Sequence, residues 1–434
     1  MPHLSINRRI FWVGLSLWGV AVLFYCVEWL QRVAPTLLVS PMMHHYGLSA
    51  SVIAAAFSLY YWVYAIMQLP AGILLDTYGP RKMLSLAALL VTAGTLLYLA
   101  STSFFGLCLA RVLVGFGSAF AFIGCLKVAR LHMSPGAFPV LVSLTNSVGM
   151  LGALLGMTPL SAMISRWGWQ RALLFASAVS FLMMLVLWFA LKPSEKQVSR
   201  SSSFLDWRVQ MKGLALVAKS PLLWLIGFYA GLMQVPVIAY AELWAVPFLH
   251  DYDHLSMVQA ALVNSYVFWG IFVGGFVWGF LMGLPMFGRR GDCKRRRYLC
   301  LLIAHIGVFA CLYVLFFQVH RHLLTLEELN FGLGFFTVVM LIAYTWAADL
   351  VPKSLTASAV AMVNMVGVIV GALFQWVLGV FIEHMHNVSQ YEYALMPMLV
   401  TSTLAFMLAM WIVWQFALRN TKQQSMGSQT KKIP

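Results

Sequence analysis

Gly72-Ile73-Leu74-Leu75-Asp76-Thr77-Tyr78-Gly79-Pro80-Arg81-Lys82 separates two long apolar runs with an acid, a tight turn and two bases. Glycine at position 79 admits backbone angles that other residues resist. Pro80 suits the first turn of a following helix. An acid ending one helix and two bases opening the next read as a short hairpin at a membrane surface. An ordinary helical hairpin with charges reaching to the interface has the same local appearance, so the rest of the chain decides.

The composition points the same way. Of 434 residues, 62% are hydrophobic and 9% charged, with mean hydropathy +0.84, against about 25% charged residues in a soluble protein. This is the composition of a polytopic membrane protein in a lipid bilayer. A net charge of +15 alone would admit a nucleic-acid partner. The bases, however, lie in short loops between apolar segments, which is a topology signal, and no nucleic acid is expected. The first apolar run continues far past the length of a signal core, so no cleavable signal is expected. Cys26, Cys108, Cys125, Cys300 and Cys311 sit inside apolar segments and Cys293 in a basic loop. Their spacing suggests neither a disulfide framework nor a metal site.

Hydropathy predicts an all-α membrane protein with twelve spans, near 10–40, 50–76, 81–101, 105–130, 138–164, 170–191, 221–248, 256–284, 298–318, 323–350, 354–383 and 393–418. No β-barrel alternation appears, and helices are then the only spanning solution. Orientation follows from Lys and Arg. With both termini inside, the inner segments hold 23 of the 28 bases, the outer segments hold Arg166, Arg171 and Arg321, and Arg32 and Arg111 fall within helices. That bias predicts an N-in, C-in topology. The polar run 192–220 contains Ser199-Arg200-Ser201-Ser202-Ser203 and reads as a linker. It separates an N-terminal six-helix bundle (1–191) from a C-terminal one (221–420), with a tail at 421–434.

The halves repeat each other. Gly115-Phe116-Gly117, Ser134-Pro135 and Asn146-Ser147-Val148-Gly149 are answered by Gly332-Leu333-Gly334, Val351-Pro352 and Asn364-Met365-Val366-Gly367, at offsets of 217 to 218 residues. Gly72 is answered by Gly279, where Gly283 replaces the acid. Small residues at Gly149, Gly152 and Gly156, and at Gly367, Gly371 and Gly379, predict close helix packing. Two related halves with a site between them is a transporter plan.

With these features together, the chain resembles the major facilitator superfamily. Its signature loop is written G-x-L-x-D-R-x-G-x-R-K, and Gly72, Leu74, Asp76, Gly79, Arg81 and Lys82 match it; Thr77 stands where the family carries a base. The resemblance implies that the acid and bases form a cytoplasmic gate, which Asp349, beside Pro352 and Lys353, is expected to join. Arg32-Val33-Ala34-Pro35, Tyr60-Tyr61, Tyr64 and Gln68-Leu69-Pro70-Ala71-Gly72 are similar to a bacterial branch of uptake permeases. That branch includes phagosomal nutrient transporters and, more distantly, organic-anion symporters. Leu107 to Gly115 resembles the family's fourth-helix motif, which implies a coupling role for Arg111; a structural pair with a carboxylate such as Glu28 is the other reading.

Charges inside spans are costly and usually face a cavity. Tyr25, Glu28 and Arg32 share one helical face. Either Glu28 and Arg32 pair with each other, or they open a polar site. Arg32 offers a permanently charged planar fork for a carboxylate. Glu28 and Glu242 offer partners for an ammonium group, and both are candidates for carrying the coupled proton. Glu242 could equally be an interfacial acid of the Tyr-Trp belt. Tyr25, Tyr60, Tyr61 and Tyr64 add hydroxyls and rings. A site with both charge signs suits an amino acid.

The remaining signals are weak. His44, His45 and Glu383-His384-Met385-His386 suit solvated ends better than a metal, and His305 suits packing. No nucleotide loop or catalytic constellation is present, so neither an enzyme nor a cofactor is expected. The expected protein is a proton-coupled secondary transporter of a small polar nutrient in a bacterial inner membrane, and a monomer. An exporter or importer of a siderophore, drug or organic anion is the alternative. A membrane receptor is remote, since Arg419 to Pro434 is short for a signalling tail.

Overall fold

The computed structural model describes residues 2–133, 138–191, 212–213, 215–283, 290–317, 322–352, 355–385 and 391–430. Among them every regular element is a helix, and twelve helices are long and apolar enough to cross a membrane. They are α1 (Phe11–Val33), α2 (50–78), α3 (80–100), α4 (Phe104–His132), α5 (Leu144–Trp167), α6 (Trp169–Ala190), α7 (Pro221–Asp251), α8 (Met257–Leu281), α9 (Tyr298–Phe317), α10 (Leu323–Asp349), α11 (Ser358–Glu383) and α12 (Tyr393–Phe416).

The quoted stretch is indeed a hairpin. The helical run Ala50–Ala100 is interrupted at Gly79 alone, where φ is +80° and ψ 158°. A left-handed φ is strained for any residue with a Cβ, so glycine is required there. The chain then doubles back, and Phe57 and Tyr98 meet edge to face, with ring centroids 6.5 Å apart.

Two six-helix bundles result, α1–α6 and α7–α12. Close packing uses the predicted small residues. A Cβ on Gly152 of α5 would stand 2.0 Å from the Cys26 carbonyl oxygen of α1. The bundles meet through α2 against α11 and through α5 against α8, two contacts exchanged by the internal pseudo-symmetry. At the end opposite the Gly79 turn, the far end, they touch closely. Gly379 of α11 lies against the Ala54 side chain and the Ala50 carbonyl of α2. Toward the turn end, Tyr64 and Gln68 are half-buried, and nothing lies within 4 Å of where a Cβ on Gly72 would stand.

Three expected boundaries change. The first helix stops at Val33 and a separate helix, Pro35–Tyr46, follows. Pro35 cannot donate a backbone hydrogen bond and clashes with a continuing helix. The basic loop after α8 is helical from Arg290, and the final helix, Pro397–Thr430, runs through the expected start of the tail. Most of the 192–220 linker lies outside the described residues.

Candidate functional site

The charges that the sequence puts inside spans converge between the two bundles. Arg32 ends α1, where the helix's exposed carbonyls favour a cation. Its Nε donates to Oε2 of Glu242, on α7 of the other bundle, at 3.1 Å. The pair is buried, with the residues 8% and 1% exposed. The guanidinium lies in an aromatic box. Its carbon is 4.5 Å from the Trp29 ring centroid, 5.2 Å from Tyr61, 5.5 Å from Tyr64 and 6.0 Å from Tyr60. Ring faces attract a cation most strongly where water is excluded.

Glu28 does not pair with Arg32 directly. It accepts from the Tyr60 hydroxyl at 2.5 Å, an arrangement that leaves Arg32 to Glu242. Tyr25 packs on Trp29 and on Phe122 of α4. The Tyr61 hydroxyl and Oε1 of Glu242 are buried without a hydrogen-bond partner. Tyr60, Tyr61 and Ala65 of α2 pack on Ile238 of α7 and on Val368 and Ala372 of α11, so the tyrosine face itself is part of the contact between bundles.

Arg111 is 1% exposed. The expected structural pair with Glu28 does not form. Its Nε and Nη2 both donate to the Phe57 carbonyl at 3.2 Å, and the guanidinium stacks on Tyr60, 4.6 Å from the centroid. Arg111 thus finds a backbone acceptor on α2, while Tyr60 holds Glu28.

Glu242 sits in a π-helical stretch, Pro236–Trp244, within α7. Pro236 removes one helical hydrogen bond, and such wide turns mark functional segments more often than ordinary ones. At the same end of the molecule, the Glu383 carboxylate of α11 accepts from the Ser51 N–H at 3.2 Å. That N–H belongs to the first turn of α2, whose positive pole favours an anion.

The turn end differs from expectation. Asp76 pairs with Lys127 of α4 at 2.5 Å, and not with Arg81 or Lys82. Arg81 instead donates to the Trp188 carbonyl of α6 at 2.8 Å and stacks on its ring. Lys82 is exposed, and Asp349 is in neither ion pair among the described residues. The predicted loop network is thus a set of ties from the turn to α4 and α6, all inside one bundle. Arg81 is taken up by α6, and Lys127 stands beside Asp76.

Sequence reasoning missed Trp29, which its spacing of three residues from Arg32 could have flagged. It counted Lys127 only for topology. Among the described residues no group of three His, Cys, Asp or Glu side chains could hold a metal. His44 is exposed, and His45 packs on Trp169. His386 lies outside the described residues. His305 donates its Nδ1–H to the Leu301 carbonyl at 2.7 Å and packs on Tyr229 and Phe406.

Comparison with known proteins adds four findings. The family model described as Major Facilitator Superfamily matches residues 17–375. The "Probable sulfoacetate transporter SauU" of Cupriavidus necator is 26% identical over 182 residues, 42% of this chain and 42% of the relative. The "Probable L-galactonate transporter" of Escherichia coli is 23% identical over 291 residues, 59% and 62% of the two chains. The chain thus spans less than two thirds of the length of these curated relatives. Among solved structures, a bacterial homolog to the human lysosomal transporter Spinster, inward-facing and unoccupied, superposes with TM-score 0.69 at 16% identity. The superposition covers 93% of this chain and 98% of that one, a likeness of fold.

Proposed function

The chain belongs to the Major Facilitator Superfamily, and on that premise we propose that it is a secondary active transporter that carries a small organic anion together with a proton. The observation that carries this reading is the buried Arg32–Glu242 pair, which joins the two bundles. A proton on Glu242 removes its charge and frees the Arg32 fork. A carboxylate or sulfonate on the substrate then takes the place of Glu242, bidentately. Binding and protonation favour each other because both act on the same guanidinium. No loop for nucleotide is needed; the proton gradient supplies the drive.

The named relatives support the anion, since sulfoacetate and galactonate are both small acids. An amino acid is the second reading, favoured by two acids, Glu28 and Glu242, that act electrostatically on Arg32. The anion stands ahead because both named relatives are transporters of small acids. The contacts around Gly379 and Glu383 support a state closed at the far end. With the bias of Lys and Arg toward the turn side, this is an inward-facing state in a bacterial inner membrane, both termini cytoplasmic.

The test is uptake into proteoliposomes given an inward pH gradient, with radiolabelled sulfoacetate, galactonate and a panel of amino acids as probes. Accumulation of a small acid, abolished by protonophore, is the expected result. Uptake that ignores protonophore but needs sodium overturns the proton coupling. Accumulation of amino acids alone overturns the anion.

A further inference from the structure

The π-helical stretch Pro236–Trp244 is held from outside. At its end, the Ala245 N–H reaches back five residues to the Tyr240 carbonyl, the signature of the wide turn. Such turns place backbone groups poorly for their own ladder, and buried backbone groups must find other partners. Here they do so on three neighbours. Gln375 of α11 donates its Nε2 to the Ile238 carbonyl at 2.7 Å. Asn264 of α8 donates its Nδ2 to the Ala241 carbonyl at 2.8 Å. The Val246 N–H donates to the Thr36 hydroxyl of the Pro35–Tyr46 helix at 3.4 Å. Gln375 is 1% exposed and Asn264 0%, so neither amide has water as an alternative. Trp244, at the end of the stretch, returns a hydrogen bond to the Gln375 carbonyl at 3.0 Å.

We infer that Gln375 and Asn264 are positioning residues for Glu242: their amides hold residues 236–244 in the wide turn, which sets the Glu242 carboxylate against Arg32. Ile238 and Ala241 precede Glu242 by four residues and by one, so the two amides hold the backbone that leads into it. When the pair with Arg32 breaks, the stretch is free to return to ordinary α-helix. Absorbing one residue into the regular spiral rotates Glu242 by about 100°, one residue's share of a 3.6-residue turn. The same step releases Gln375 and Asn264, and so passes the breaking of one ion pair to α11 and α8, two further helices that touch the other bundle. This deepens the reading of Arg32–Glu242 as a proton-sensitive tie between the bundles, and so as a gate, and rests on it.

The experiment uses the full chain in nanodiscs, on a cysteine-free background, with spin labels at His44 and His384. Both are exposed at the far end, one on each bundle. Their distance distribution reads the closed fraction without any substrate. Gln375→Met keeps the size and removes the donor. It should lower the ratio of closed to open by about five-fold, the factor expected for one lost buried hydrogen bond. Asn264→Leu serves as the independent second variant with the same expectation. In a Glu242→Gln background either change should add less than about two-fold, because a residue acting through Glu242 has nothing left to act on. Effects that multiply in full would overturn the inference and leave the amides as packing groups. If Glu242→Gln alone leaves the closed fraction unchanged, the gate reading itself fails. If Glu242→Gln opens the far end while Gln375→Met and Asn264→Leu do not, only the positioning role fails.

Discussion

Two acid–base pairs stand out among the described residues, and they do opposite things. Arg32–Glu242 is buried, spans 210 positions of sequence and ties one bundle to the other. Asp76–Lys127 lies at the turn end, with the Asp76 side chain 53% exposed, and ties a loop to a helix of its own bundle. The first can report relative movement of the bundles, since the movement must break it. The second can only stiffen one bundle. Pairing alone therefore says little about a latch; what matters is which bodies the pair connects and how much water surrounds it. A buried pair is costly to leave half-made, whereas an exposed one is screened and worth little.

The largest effect should come from Arg32→Ala. It leaves Glu242 buried without its partner, at roughly 3–5 kcal/mol for such a break. Uptake should vanish and the thermal midpoint should fall; retention of a tenth of wild-type uptake contradicts this. Arg32→Lys keeps the charge but loses the fork, and should weaken substrate binding, read as a rise in KM, with folding largely kept.

The double change Arg32→Gln with Glu242→Gln sharpens the contrast. Removing both charges should recover most of the lost stability, because no uncompensated charge stays buried. Uptake should stay absent, since no fork remains for the anion. Recovery of both would mean that the pair is structural, and would place it beside Asp76–Lys127.

Glu383→Gln should act more mildly. It weakens the contact of α11 with the α2 terminus, a helix-end interaction worth about 0.3–1 kcal/mol. The expected result is faster labelling of a cysteine placed near the far end, with stability almost unchanged. Equal labelling rates would remove Glu383 from the far-end closure.

Asp76→Asn should be smaller still for stability, below about 1 kcal/mol. Transport should fall a few-fold through the looser turn. High salt should erase the stability difference between Asp76→Asn and wild type, because exposed charges are screened within about 10 Å at 0.1 M. The Arg32 variants should keep their deficit in the same salt series. A salt-resistant Asp76 effect would break the comparison drawn above.

Much of this was legible in the chain. Spans, the Gly79 hairpin and the two related halves all depend on local quantities. Apolar length, basic loops, and glycine where φ must be positive can each be read one segment at a time. Tyr25, Glu28 and Arg32 on one face of α1 followed from helical spacing alone. The partner of Arg32 did not. By spacing, Glu28 was the nearer acid, yet the hydroxyl of Tyr60 holds it and Glu242 takes the guanidinium. Likewise Arg81 and Lys82 are adjacent to Asp76 in sequence, while Lys127 is its partner.

The sequence by itself determined that this chain is a twelve-helix membrane protein with costly charges at its centre, because lipid leaves a charged or unpaired group no solvent and the pattern must show it. Tertiary structure alone decided which charges meet, and that α7 widens into a π-helix held by Gln375 and Asn264. Those choices turn on distances of a few ångströms between helices far apart in the chain, and helical periodicity specifies which face a residue lies on without specifying what will stand opposite it.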